Sequence, residues 1–217
     1  MKVIFFVFTI VVLFTSCSEK KVKTELPIYG RKKIVEKEVN GEVKNDTLYH
    51  TVADFNLVNQ DSAVITNSTF NDKIYVADFF FTSCPSICPI MKKQMLRVYS
   101  AYEEEDEFSI VSHTIDPEYD TVALLKDYAE RLGVSSDKWH FLTGGQDEIY
   151  DLGQASYMVT AAEDSDAPGG YIHDGAFLLV DKDRRIRGVY DGTREDQVSI
   201  LIDDIKVLLN EYEEKSS

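Results

Sequence analysis

Cys84 and Cys88, four positions apart in Thr82-Ser83-Cys84-Pro85-Ser86-Ile87-Cys88-Pro89, offer the most chemistry in this chain. On a helical turn, residues four apart share a face, with about 6 Å between their backbones. Two thiolates so placed can chelate one soft metal ion. They can also close a disulfide, which needs Cα atoms roughly 4.4–6.8 Å apart. A helix N-terminus lowers a thiol pKa and so favours the thiolate that either task requires. Sulfur donors select Cu(I), zinc or iron–sulfur clusters. A structural zinc site asks for about four protein ligands, and an iron–sulfur cluster for about four cysteines. The chain has three cysteines, and the first, Cys17, lies in the N-terminal signal. Copper accepts two thiolates and one imidazole, so a third ligand is sought among His50, His113, His140 and His173.

The elements that position these residues follow from hydrophobic period and turn residues. Lys73–Phe81 (KIYVADFFF) is nearly continuous apolar, the pattern of a central strand buried on both faces, and Phe108–Thr114 is a second such strand. A helix follows the cysteines from about Pro89 to Tyr102, with Ile90, Met91, Met95, Val98 and Tyr102 on one stripe. Asp120 or Thr121 caps a helix that Gly133 stops. A short strand at 140–142, a helix from Gln146, strands at 176–181 and 186–190, and an amphipathic helix over 193–210 complete the order. Upstream, 32–39 and 47–52 flank Asn40-Gly41 as one hairpin, and 54–59 and 63–66 form another. Residues 161–170 read as a long, mobile loop. The order is that of an α/β, thioredoxin-like fold with an N-terminal β-hairpin extension. In that fold the loop holding His173 faces the start of the cysteine helix, which singles out His173. His113, near a strand's C-terminal end, is the reserve. Asp116-Pro117 reads first as a tight turn, with Asp116 also a candidate for supporting the site from behind the ligands.

Residues 1–16 carry one charge, Lys2, before an apolar run from Val3 to Phe14. Twelve residues span only about 18 Å as a helix, against a hydrocarbon core of about 30 Å, so the run reads as a signal peptide. It ends in Phe14-Thr15-Ser16-Cys17, which resembles a bacterial lipoprotein signal with Cys17 as the lipidated N-terminus. The expected layout is a signal at 1–16, lipidated Cys17 and a tether to residue 26, one domain over 27–212, and a disordered tail at 213–217. The full chain has 38 acidic and 23 basic side chains, a net charge of −15, which argues against nucleic acid as a partner.

Several stretches together resemble the Sco/SenC copper proteins of cytochrome c oxidase assembly. They are Phe79–Pro89, Ile115-Asp116-Pro117-Glu118-Tyr119-Asp120-Thr121, Trp139-His140-Phe141-Leu142-Thr143-Gly144, and the His173 segment leading into Phe177–Asp181. They run in family order over roughly residues 52–210. The resemblance implies a membrane-tethered domain on the periplasmic side of the cell membrane. It implies one copper ion, Cu(I) or Cu(II), bound by Cys84, Cys88 and His173. The implied partner is the copper A site of cytochrome c oxidase subunit II. Many members carry an acidic residue directly before the histidine; here Ile172 precedes it and Asp174 follows, making Asp174 a further supporting candidate.

Two functions follow from these residues. A metallochaperone holds copper and passes it on, and it needs reduced cysteines to load. A thiol–disulfide oxidoreductase uses Cys84 and Cys88 and does not require His173. Thioredoxin-like reductases usually place a cis-proline just before the strand facing the motif. Here Ile172-His173-Asp174 occupies that approach, which favours copper.

Overall fold

A continuous apolar run can leave neither face to water, and every residue from Ile74 to Phe80 is buried. In the computed structural model the described residues are 25–39, 42–165 and 167–216. In chain order the strands and helices are β1 (Lys32–Val39), β2 (Glu42–Tyr49), β3 (Asn56–Asn59), β4 (Val64–Thr66), β5 (Ile74–Phe80), α1 (Cys88–Tyr102), β6 (Phe108–Thr114), α2 (Val122–Leu132), β7 (Trp139–Thr143), α3 (Gln146–Asp151), β8 (Ala161–Glu163), β9 (Tyr171–His173), β10 (Ala176–Val180), β11 (Ile186–Asp191) and α4 (Glu195–Ser216). The main sheet runs β11-β10-β5-β6-β7-β3-β4, with β5, β6 and β7 parallel and the flanking pairs antiparallel. The β1–β2 and β8–β9 pairs are separate two-stranded sheets. No helix of the described residues is long and apolar enough to cross a membrane.

Local chemistry sets the helix ends. The Thr121 hydroxyl accepts from the Leu124 N–H at the start of α2, so Thr121 and not Asp120 is the cap. Gly133, at φ 70°, ends that helix in the left-handed region, where glycine has no Cβ to clash. On α1, Cys88, Met91, Met95, Val98 and Tyr99 are buried, whereas Ile90 is exposed, one position off the expected stripe.

Other expectations need correction. The second strand of the N-terminal hairpin is Glu42–Tyr49 rather than 47–52, because strict cross-strand pairing with β1 runs from Lys32↔Tyr49 to Val39↔Glu42. Residues 161–163 are a strand and not part of a long loop; they pair with 171–173. Leu26, placed in the tether, is buried, and its N–H donates to Glu211 Oε1 at 2.6 Å. The disordered tail expected at 213–217 is helical through Ser216. Its preceding turn is anchored: the Tyr212 hydroxyl donates to Asp183, and buried Arg187 pairs with Glu211 at 2.8 Å and with Asp181 at 3.1 Å. Residues 1–24, including Cys17, and the Asn40-Gly41 turn lie outside the described residues.

His113 is fully buried, stacked on Phe79 at 4.9 Å and flanked by the rings of Phe55 and Tyr157. Among the described residues neither of its ring nitrogens has a hydrogen-bond partner. Burial pushes its pKa down to about 3 from the ordinary 6.5. The unfolded chain therefore takes up a proton near pH 6.5 that the folded chain refuses until about pH 3, so this residue lowers stability as pH falls through that window. His113→Phe should lose less stability than the parent between pH 7 and pH 5, by about 2 kcal/mol (roughly 1.4 kcal/mol per unit over about 1.5 units). Urea unfolding at both pH values checks it; an unchanged difference contradicts the assignment.

Candidate metal centre

The loop after β5 is held at Thr82, two residues before the first cysteine, by the buried carboxylate of Asp120. Asp120 accepts from the Thr82 N–H at 3.1 Å, from the Thr82 hydroxyl, and from the Thr114 hydroxyl at the end of β6. This fixes where the chain leaves the sheet. Pro85 and Pro89 then restrict the backbone around the turn, and α1 begins at Cys88 itself. Both cysteines are buried free thiols.

The imidazole arrives from the other side. The register Ala161↔His173, Ala162↔Ile172 and Glu163↔Tyr171 sets β9 against β8. Gly169, at φ +85°, sits where a Cβ would meet the Phe81 ring at 2.8 Å and Pro85 Cδ at 3.1 Å. A side chain there would push the hairpin off the cysteine loop. The Phe81 ring also stands edge-on to His173, with centroids 5.8 Å apart.

The three donors converge. His173 Nε2 lies 3.3 Å from Cys88 Sγ and 4.0 Å from Cys84 Sγ. All three ligand atoms fall within 4.8 Å of one another. A three-coordinate ion with bonds of about 2.0–2.3 Å separates its donors by roughly 3.5–4 Å, so the residues fit a small soft cation with little movement. Nδ1 of His173 faces the Asp174 carbonyl at 3.3 Å. A proton on Nδ1 donates there and leaves the Nε2 lone pair toward the sulfurs. Burial lowers the His173 pKa, keeping the ring neutral.

The two thiols differ. Burial is the largest influence on each. At Cys84 it is outweighed by hydrogen bonds from the Ser86 hydroxyl and from the backbone N–H groups of Cys88 and Ser86, and the pKa falls. At Cys88 burial prevails over a backbone hydrogen bond, and the neighbouring Cys84 and Asp78 add to it, so this thiol is pushed far above its usual range.

Other sequence candidates fall elsewhere. His113 and His140 are core residues, and His50 Nε2 bonds the Ser156 carbonyl at 2.7 Å. Asp116 is not among the three converging donors. Burial first, and then a hydrogen bond to the Asp116 carboxylate, raise the pKa of the Tyr171 phenol, and that bond ties β9 to Asp116 two residues from His173. Asp174 Oδ2 accepts from the Thr160 N–H at 2.7 Å and so pins the base of the β8–β9 hairpin. Asp120 was read as a cap and is the buried knot under the cysteine loop. Asp78 is the one carboxylate within the apolar run of β5. It accepts from the Ser112 hydroxyl, which in turn takes the Trp139 indole N–H at 2.9 Å, and burial pushes its pKa up to about 7. A lone carboxylate inside KIYVADFFF was the available signal.

In the reduced, metal-free chain near pH 8, iodoacetamide should alkylate Cys84 at least tenfold faster than Cys88, because the thiolate is the nucleophile. Peptide mass spectrometry after timed quenching reads the two sites separately; equal rates contradict the asymmetry.

The SCO1/SenC family profile matches residues 43–210. The SCO1 protein homolog of Bacillus subtilis (strain 168) is 32% identical over 170 residues, covering 76% of this chain and 86% of that protein. A SCO1/SenC family lipoprotein from Bacillus anthracis str. Ames superposes with a TM-score of 0.68 at 26% identity, over 74% of this chain and 95% of its own. BsSco, a Sco-family cytochrome c oxidase assembly protein with a disulfide switch, gives 0.65 at 30% identity, over 73% and 93%. Bradyrhizobium japonicum ScoI, solved with copper bound, gives 0.61 at 24% identity, over 73% and 99%, and shares the fold. With these neighbours the architecture is thioredoxin-like, as its element order implied. The match over most of the chain and the shared fold lead to one conclusion: the chain belongs to the SCO1/SenC family.

Proposed function

We propose that this chain is a membrane-tethered copper metallochaperone that serves the copper A site of cytochrome c oxidase subunit II, by delivering copper or by preparing its cysteines. The observation that carries the reading is the convergence of two sulfurs and one imidazole nitrogen from separate elements on one point. Two thiolates and one neutral nitrogen suit a soft ion such as Cu(I). Cys84 and Cys88 are the thiolate ligands and His173 the nitrogen ligand. Asp116 and Asp174 hold the segment that carries the imidazole. Binding requires both thiols to lose their protons, so loading favours higher pH and a reduced pair. Family membership supports the tie to oxidase assembly, since BsSco is itself such a protein.

The thiol asymmetry favours a second reading, thiol–disulfide exchange on the same subunit. One thiol of low pKa attacks and a second, buried one resolves. The anchor is part of the proposal too. Cys17 carries lipid and holds the domain on the periplasmic side of the cell membrane, and the lipoprotein nature of the Bacillus anthracis relative supports it.

Copper titration of the reduced chain tests the ligands. His173→Ala should weaken copper affinity at least tenfold and alter the sulfur-to-copper absorption, while Cys84→Ser and Cys88→Ser should abolish that absorption. An unchanged spectrum and affinity in His173→Ala would falsify the ligand set. The exchange reading instead has His173→Ala still reducing an oxidised subunit II peptide that Cys84→Ser cannot reduce.

For the anchor, mass spectrometry of the protein from its native membrane should find the chain beginning at a lipid-modified Cys17. An unmodified Cys17 rules the tether out.

A further inference from the structure

β11 is an edge of the main sheet: it pairs with β10 and with no other strand. The pairing alternates in a way that fixes which peptide groups are free. The Gly192 N–H donates to the Gly175 carbonyl at 2.6 Å, and the register continues as Ala176↔Asp191, Phe177↔Tyr190 and Leu178↔Val189. In an antiparallel pair, hydrogen-bonded and non-bonded partners alternate. The 175/192 and 177/190 pairs are bonded, so the N–H and C=O of Val189 point away from β10. Farther back the edge is closed, since the Tyr29 N–H donates to the Ile186 carbonyl. At its end the Asp191 carbonyl is taken by the Arg194 N–H. Between these points no backbone bond from another described segment reaches Val189.

This open stretch lies beside the metal centre. Val189 shares a shallow depression with Ile87, which stands between the two cysteines, and with Asp174 and Gly175, which follow His173. The Val189 side chain is 49% exposed and that of Asp191 is also exposed. Bare edge strands are usually blunted by lysine, proline or a cover. Here the residue on the open stretch is a β-branched apolar one, and the charges lining the depression, Asp174 and Asp191, are both acidic.

We propose that this edge docks the copper recipient: an extended segment of the recipient, apolar with a basic flank, adds to β11 at Val189 and so brings its own cysteines over Cys84, Cys88 and His173. Main-chain bonds give such strand addition its affinity, and the neighbouring depression gives it side-chain preference. Two facts favour a recipient over a second copy of this chain. The stretch is continuous with the site where metal must change hands. Its acidic lining also repels its own copy across a two-fold axis. This inference rests on the copper reading, and deepens it by naming the surface used.

The test uses the full copper-loaded chain in detergent and the copper A domain of oxidase subunit II. Adding that domain should slow amide hydrogen exchange at Val189 at least tenfold and leave β4, the opposite edge, unchanged. Proline is tolerated on an edge strand where its missing N–H faced solvent, so Val189→Pro should fold and keep the sulfur-to-copper absorption. It should nevertheless pass copper to the domain at least tenfold more slowly, whereas Val189→Thr, which keeps the N–H, should match the parent. Parent-like transfer by Val189→Pro overturns the proposal. So does protection at Val189 that follows the chain's own concentration, because the edge then pairs copies. The exchange measurement is made with and without copper, so failure of the metal reading shows separately, as loss of the absorption in the parent.

Discussion

The pairing of β10 with β5 is the constraint on which the metal centre depends. Ala77 faces Leu178, Val76 faces Leu179 and Tyr75 faces Val180. Cys84 lies seven residues beyond Ala77, and His173 five residues before Leu178. A slip of one residue would flip every side chain of β10 to the other face and would part the imidazole from the sulfurs. The slip is resisted by the core itself. Phe177 through Val180 are buried, and so is all of β5, so both faces are already filled and a wrong register would force side chains of the wrong shape into packed positions. Burial of ordinary hydrophobic residues thus sets the distance between residues nearly ninety positions apart.

Polar groups then refine what the core sets. Asp120, Asp116 and Asp174 touch three different parts of the scaffold: the exit of the cysteine loop, the Tyr171 ring and the base of the hairpin. None is among the converging donors. Asp116 and Asp120 are buried and Asp174 is exposed; the two buried carboxylates find hydrogen-bond donors, which is the condition under which such groups rigidify a site rather than weaken it. The asymmetry of the thiols has the same origin. Cys84 sits where a hydroxyl and backbone N–H groups can reach its sulfur, while burial dominates at Cys88 and the nearby Cys84 and Asp78 add to it.

Much of this was legible in the sequence because the relevant signals are local. Continuous apolar runs named β5 and β6, Gly133 named a helix end, and cysteines four apart named a chelating pair. His173 could be chosen only through the fold, since nothing near it in sequence separates it from His113. The burial of His113 against Phe79 is a long-range fact. What stayed hidden depended on pairing between distant segments. The strand at 161–163 is set by its pairing with β9, and the role of Asp120 by the approach of Thr82 and Thr114. Glu211 and Tyr212 hold α4 beyond the expected end for the same reason: their partners, Arg187, Arg185 and Asp183, lie on β11 and its preceding turn.

The hairpin that carries His173 has one more consequence. β8 and β9 bond to each other and not to the main sheet. Cys84 and Cys88 sit on the loop and helix that leave the main sheet, while His173 rides on a short two-stranded module whose opening need not open that sheet. Letting go of a bound ion then requires the free energy of a local opening only. In a site built this way, how firmly an ion is held and how readily one arm opens are set by different parts of the chain.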